Sequence, residues 1–235
     1  MHSMPVRFFS MLAILALTAC GSNKNDKPAN AENTMKEPKL KEEAITYTVP
    51  GTTDSVVYDG YVVYDENIEG KRPAVMVIHE WWGMNEYAKR RARDLAKLGY
   101  IAMALDMYGN GKKGDDPDAA GKLAGPFYQQ PASAKPIFDA AMSKLLAFPQ
   151  ADSTKTAAIG YCFGGAQVLN LAKMGENLRG VVSFHGNLTV VPANKDLLKA
   201  AVLVCHGAAD PFVPQAEVDQ FKKQMDSIGA NYTFK

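Results

Sequence analysis

Thr156-Ala157-Ala158-Ile159-Gly160-Tyr161-Cys162-Phe163-Gly164-Gly165 joins an apolar strand to a helix, and its reading decides the architecture. Thr156 to Tyr161 reads as a buried strand, Gly164 to Met174 carries the helical period, and Gly175 stops it. Gly160 and Gly164 flank Cys162 in the pattern G-x-C-x-G. A turn this sharp strains its central residue and leaves no room for side chains on the neighbours. It lifts the Cys162 sulfur above the sheet and sets it at a helix N-terminus, where the positive dipole end favours a thiolate. A structural cysteine beside a glycine-rich turn would share these local features. The nucleophile reading gains its weight from the turn's place in the chain.

On both sides of this turn strands and helices alternate. Upstream, Ala74 to Ile78 is a continuous apolar run, as in a strand buried on both faces. Asn85 to Leu98 is helical by period with Gly99 as its stop, and Tyr100 to Leu105 is the next strand. Residues 117–147 are helical, with an interruption around Gln130-Pro131. Downstream come strands Gly180 to Phe184 and Ala201 to Cys205, a helix from Pro214 to Ile228, and a further strand starting at Asn231. Before all of these, Ile45 to Val49 alternates, Pro50-Gly51 marks a turn, and Val56 to Tyr64 reads as an antiparallel partner. The pattern predicts an α/β fold: one domain over 44–235, with a mostly parallel, doubly wound sheet covered on both faces and an antiparallel N-terminal hairpin. In such sheets ligands bind beyond the carboxyl ends of the strands.

The first forty residues carry an address. Arg7 precedes Phe8 to Leu17, an apolar run of signal-peptide length that is too short to span a bilayer. It closes in Leu17-Thr18-Ala19-Cys20, which resembles the lipobox of bacterial lipoproteins. The resemblance implies removal of 1–19, lipidation of Cys20 and a membrane anchor on the periplasmic side of a bacterial cell envelope. Gly21, where an Asp would retain the protein, points by analogy to the outer membrane. An ordinary secretory signal with Cys20 incidental is the alternative. Residues 21–43 hold almost no large apolar side chains and read as a flexible tether.

Composition excludes some classes of partner. The formal net charge of +1, with no Lys/Arg block in the body, speaks against nucleic acid. Neither H-x-x-x-H nor paired Cys/His at ligand spacing occurs, so no metal is implied. No nucleotide loop is present, and no cofactor is expected.

Four segments, each at a strand end and in order, resemble the dienelactone hydrolase family of α/β-hydrolases: 78–83 with Glu80, 105–109 with Tyr108, the 160–165 elbow, and 206–214 with Asp210. The likeness runs from about Ala44 to the end. It implies Cys162 as nucleophile, Asp210 as the acid that orients a histidine, and Glu80 as the group that pairs with the thiol and takes its proton. It also implies an oxyanion hole formed by the backbone N–H groups of Trp81 and Phe163, and a small ester or lactone as substrate. Each residue has a plainer alternative: Asp210 before Pro211 could serve only its turn, Glu80 could be a solvated loop carboxylate, and Trp81 and Trp82 could be core. His79, Trp82, Tyr108 and His185 are candidates for the pocket wall. Cys205, inside an apolar strand, reads as an inert thiol, with a bridge to Cys162 disfavoured by the strand expected between them.

The family's catalytic histidine follows its final strand, and none of His2, His79, His185 and His206 stands there. The expectation is therefore that the last strand and helix are incomplete at Lys235 and that activity is impaired. The family's substrate-binding arginine also has no match in Gly109-Asn110-Gly111. Two other readings stay open: a lipid-anchored binding protein without catalysis, and a redox-sensing or acyl-transferring thiol protein.

Overall fold

Strands β3 (Arg72–Ile78) and β5 (Ala151–Tyr161) lie side by side in mid-sheet, and the chain leaves them in opposite directions. The computed structural model describes residues 36–51 and 56–235. The expected signal peptide, residues 1–19, and Cys20 lie outside the described residues. The remaining strands are β1 (Leu40–Tyr47), β2 (Tyr58–Asp65), β4 (Ile101–Leu105), β6 (Gly180–Phe184), β7 (Ala201–Cys205) and β8 (Tyr232–Phe234). They join β3 and β5 in one sheet of order β1-β2-β4-β3-β5-β6-β7-β8. Pairing is parallel from β4 through β8, while β1–β2 and β2–β4 are antiparallel. From β3 the chain steps outward to β4; from β5 it steps the other way to β6. The crevice at that reversal is where open α/β sheets bind ligands.

Five helices flank the sheet among the described residues: α1 (Glu86–Lys97), α2 (Pro117–Gln129), α3 (Ala134–Leu146), α4 (Phe163–Lys173) and α5 (Gln215–Ser227). Asn85 caps α1 by accepting from the N–H groups of Tyr87 at 3.0 Å and Ala88 at 3.3 Å. The interruption expected near Gln130-Pro131 is a 3₁₀ turn, Pro131–Ser133, between α2 and α3. Alternation along β3 and β4 splits the core in two. Met76, Ile78, Met103 and Leu105 pack with α2 to α5, whereas Val77, Ala102 and Ala104 meet Ala88, Ala92 and Ala96 of α1.

Two expectations are corrected. The folded body begins at Leu40 rather than Ala44, because Leu40 to Glu43 pair with Val62 to Asp65. Their charged side chains suit an exposed edge strand, whose stability comes from backbone pairing rather than burial. The strand expected from Asn231 is present as β8, three residues pairing parallel with β7. Cover is also uneven. On the α1 side of β5, β6 and β7, the residues Ile159, Val182 and Leu203 are only half-buried. Among the described residues no helix is long and apolar enough to cross a membrane.

Every residue of α4 is buried, Lys173 among them at 1% exposure. Its ammonium donates to the carbonyls of Leu188 at 2.6 Å and Val191 at 2.9 Å. Glu217, at the start of α5, takes the N–H groups of Leu188 at 2.6 Å and Thr189 at 3.2 Å. Together they clamp the loop after β6 from beneath. Burial lowers the Lys173 pKa from 10.5 to about 8, so between those values the unfolded chain holds a proton that the folded one lacks. Stability contributed at Lys173 therefore rises with pH across that window. Urea titrations of the native protein and Lys173→Met should show the native protein gaining on the variant by up to about 3 kcal/mol from pH 8 to 10.5. A constant difference would show that Lys173 is charged throughout.

Candidate active site

Cys162 stands between β5 and α4 with φ 53° and ψ −114°, a strained backbone for a residue with a side chain. The turn is held by Cys162 N–H donating to Phe184 O at 2.8 Å and by Ala166 N–H donating to Cys162 O at 3.1 Å. The flanking glycines are required by contact. A Cβ on Gly160 would lie 2.0 Å from the Gly164 oxygen, and one on Gly164 would lie 2.3 Å from the Ile78 oxygen. The elbow thus presses directly on the end of β3, and Glu80 and Trp81 come to the sulfur.

His79 sets the orientation of that segment. It is fully buried, and burial lowers its pKa to about 4, so it is neutral. Nε2 accepts from Met107 N–H at 3.2 Å, leaving the proton on Nδ1, which donates to the Glu80 carbonyl. The Glu80–Trp81 peptide is planar and trans, so fixing its carbonyl turns the Trp81 N–H the opposite way. That N–H and the Phe163 N–H both act on the Cys162 sulfur and favour its thiolate. Tyr108 donates its hydroxyl to the Trp81 carbonyl at 3.0 Å and packs on the rings of His79 and Phe163.

A cavity of about 530 Å³ opens over the sulfur, lined by Glu80, Trp81, Tyr128, Cys162, His185, Asn187, Val190, Phe212 and Val213. Of the wall candidates, His185 belongs to it. His79 and Tyr108 are buried supports behind it, and Trp82 packs edge-on against Trp81 at 5.0 Å without lining the space. Tyr128, Asn187 and Val190 carry no motif that would have marked them. Tyr128 follows Phe127 on α2, and the other two sit on the clamped loop.

Asp210 serves its turn and the site at once. One oxygen accepts Phe212 N–H at 2.9 Å, and the other contacts His185 Nδ1. Burial pushes the carboxyl up, but these two partners hold it below its ordinary value. His206 stands 4.0 Å from the same oxygen. His185 itself has φ 58° and follows Phe184, the neighbour of Tyr161 across β5–β6. Two strained residues on adjacent strands therefore face one cavity. Cys205 is a free thiol separated from Cys162 by β6, and no bridge forms.

The thiol departs from expectation. Burial is the largest influence on Cys162, and Glu80 and Asp210 add to it, so its pKa is raised despite the two N–H groups and the helix end. Among the described residues no group of three or more His, Cys, Asp and Glu side chains is placed to hold a metal. Alkylation of Cys162 by iodoacetamide, followed by mass spectrometry, should have its pH midpoint above that of an ordinary thiol. A plateau reached below pH 7 would contradict the burial effect.

The sequence profile of the dienelactone hydrolase family matches residues 58–235. "Protein usf" of Aquifex pyrophilus is 29% identical over 168 residues, covering 69% of this chain and 72% of that protein. A protein of Aquifex aeolicus (strain VF5), named as a candidate carboxymethylenebutenolidase, matches with the same identity and coverage. Among solved structures, a protein designated m3DLH is 35% identical with TM-score 0.76, covering 83% of this chain and 80% of its own. A dienelactone hydrolase-like promiscuous phosphotriesterase from metagenomic libraries is 34% identical with TM-score 0.75, at the same coverage.

Proposed function

This chain belongs to the dienelactone hydrolase family, a hydrolase of lactones and esters, and from that premise we propose that it works through an acyl-cysteine intermediate on Cys162. The observation that carries the reading is the strained Cys162 with two backbone N–H groups directed at its sulfur inside a cavity. The sulfur bonds to the substrate carbonyl carbon, and the oxygen's developing charge falls to the Trp81 and Phe163 N–H groups. Glu80 takes the thiol proton. Collapse of the tetrahedral adduct breaks the acyl C–O bond, the alcohol leaves with the proton returned from Glu80, and water then cleaves the thioester to release the acid and restore the thiol.

A raised thiol pKa fits this scheme. The resting sulfur is protonated, and the thiolate forms when Glu80 takes the proton as substrate arrives. Asp210 holds an imidazole at the cavity edge, which among the described residues is His185. With Nδ1 on Asp210, its Nε2 is the ring nitrogen left for proton transfer.

Assays of 4-nitrophenyl esters test these roles in the native, full-length protein. Cys162→Ala should lower kcat/KM by roughly a thousandfold or more, and Asp210→Asn by about a hundredfold. His79→Gln should lower kcat with KM little changed, because it loosens only the peptide that presents the Trp81 N–H. Full activity in Cys162→Ala would remove the nucleophile assignment. Absence of turnover in the native protein would favour the non-catalytic binding protein instead.

For the anchor, we propose lipidation at Cys20, supported by the sequence of residues 8–20. Metabolic labelling with a fatty acid should mark the native protein in a bacterial host and spare Cys20→Ala. Equal labelling of both would refute the anchor.

A further inference from the structure

We propose that the cavity over Cys162 selects uncharged esters and lactones and turns anionic ones away. This inference rests on the hydrolase reading above. Trp81, Tyr128, Val190, Phe212 and Val213 supply most of the wall, and among the described residues neither lysine nor arginine lines it. The fixed charges around it are negative. Glu80 lies on the wall itself, and Asp210 sits behind His185. Both carboxylates are felt at the sulfur, where they disfavour a further negative charge.

Behind the loop wall stands a third carboxylate, Glu217, bound to the Leu188 and Thr189 N–H groups and close enough to act on Tyr128. Lys173 is the cation near it, and two of its donors are engaged by the Leu188 and Val191 carbonyls beneath the loop. Among the described residues neither Glu80 nor Asp210 has a lysine or arginine at ion-pair distance. A substrate carboxylate would enter this partly dried space with no lysine or arginine of the described residues to meet it and with the Glu80 and Asp210 carboxylates nearby. An uncharged acyl or alcohol group would instead bury apolar surface against the aromatic wall. Phe212, 75% exposed at the rim with its ring 6.1 Å from that of His185, extends that wall outward.

The test separates charge selection from catalysis. Neutral iodoacetamide and anionic iodoacetate are compared at one pH on Cys162 of the native protein, with Cys162→Ser identifying label on Cys205. The rate ratio is set against that of a small-molecule thiol. At Cys162 iodoacetamide should be favoured by about tenfold beyond the free thiol, and added salt should shrink that preference. In parallel, 4-nitrophenyl butyrate should be hydrolysed with kcat/KM about tenfold or more above the 4-nitrophenyl monoester of succinic acid. A labelling ratio equal to the free thiol's, or an anionic ester turned over as fast as the neutral one, overturns the proposal. Turnover of neither ester with the labelling preference intact sinks the hydrolase reading and supports the charge selection.

Discussion

Everything at this site depends on how closely the elbow presses on strand β3. Gly164 packs where any side chain would strike the Ile78 and His79 carbonyls, and Gly160 leaves no room for a Cβ against Gly164. This contact joins the ends of two parallel neighbouring strands, after which the chain steps to opposite sides of the sheet. It brings a residue following β3 and one following β5 to the same point in space. A larger residue at 164 would lift the helix from the sheet and separate the sulfur from the Trp81 N–H. The strain stored at Cys162 is compatible with a stable fold because α4 behind it is buried along its whole length.

From that contact the electrostatics follow. The packing that aims two N–H groups at Cys162 also removes water from it, and the loss of hydration outweighs the donors. Helix-end and N–H effects act within about one turn and are modest beside the desolvation of an anion. The site is therefore arranged for a charge that forms during reaction rather than one that persists at rest. A redox-sensing role, which needs an exposed thiol of low pKa, is poorly served by this environment.

The supports of the site are buried polar groups with fixed partners. His79 spends both ring nitrogens on backbone groups and carries no charge. Tyr108 and Lys173 likewise hold backbone carbonyls rather than substrate. His79 and Tyr108 look like site residues in a sequence because they follow strand ends, whereas Lys173, at the end of α4, has no such mark. Their role is to hold the peptide units that carry the donors, and this reveals itself only in the direction of their hydrogen bonds.

Strand and helix positions from residue 74 onward were legible because their signals are local: apolar runs, Asn85 and Gly99 at the ends of α1, Pro131 between α2 and α3. The elbow was legible for the same reason, since two glycines beside a cysteine state a steric demand within five residues. The four charged and apolar residues at the start of β1 were not, because an edge strand is defined by the partner it pairs with and not by its own burial. The sequence by itself determined the α/β architecture, the elbow that carries Cys162 and the presence of Glu80 and Asp210 at neighbouring strand ends. Only the tertiary structure decided that His185 is the imidazole on Asp210, that His79 stands behind the wall, and that the thiol is held neutral. Those outcomes depend on distances and burial between segments remote in the chain, which no local pattern encodes.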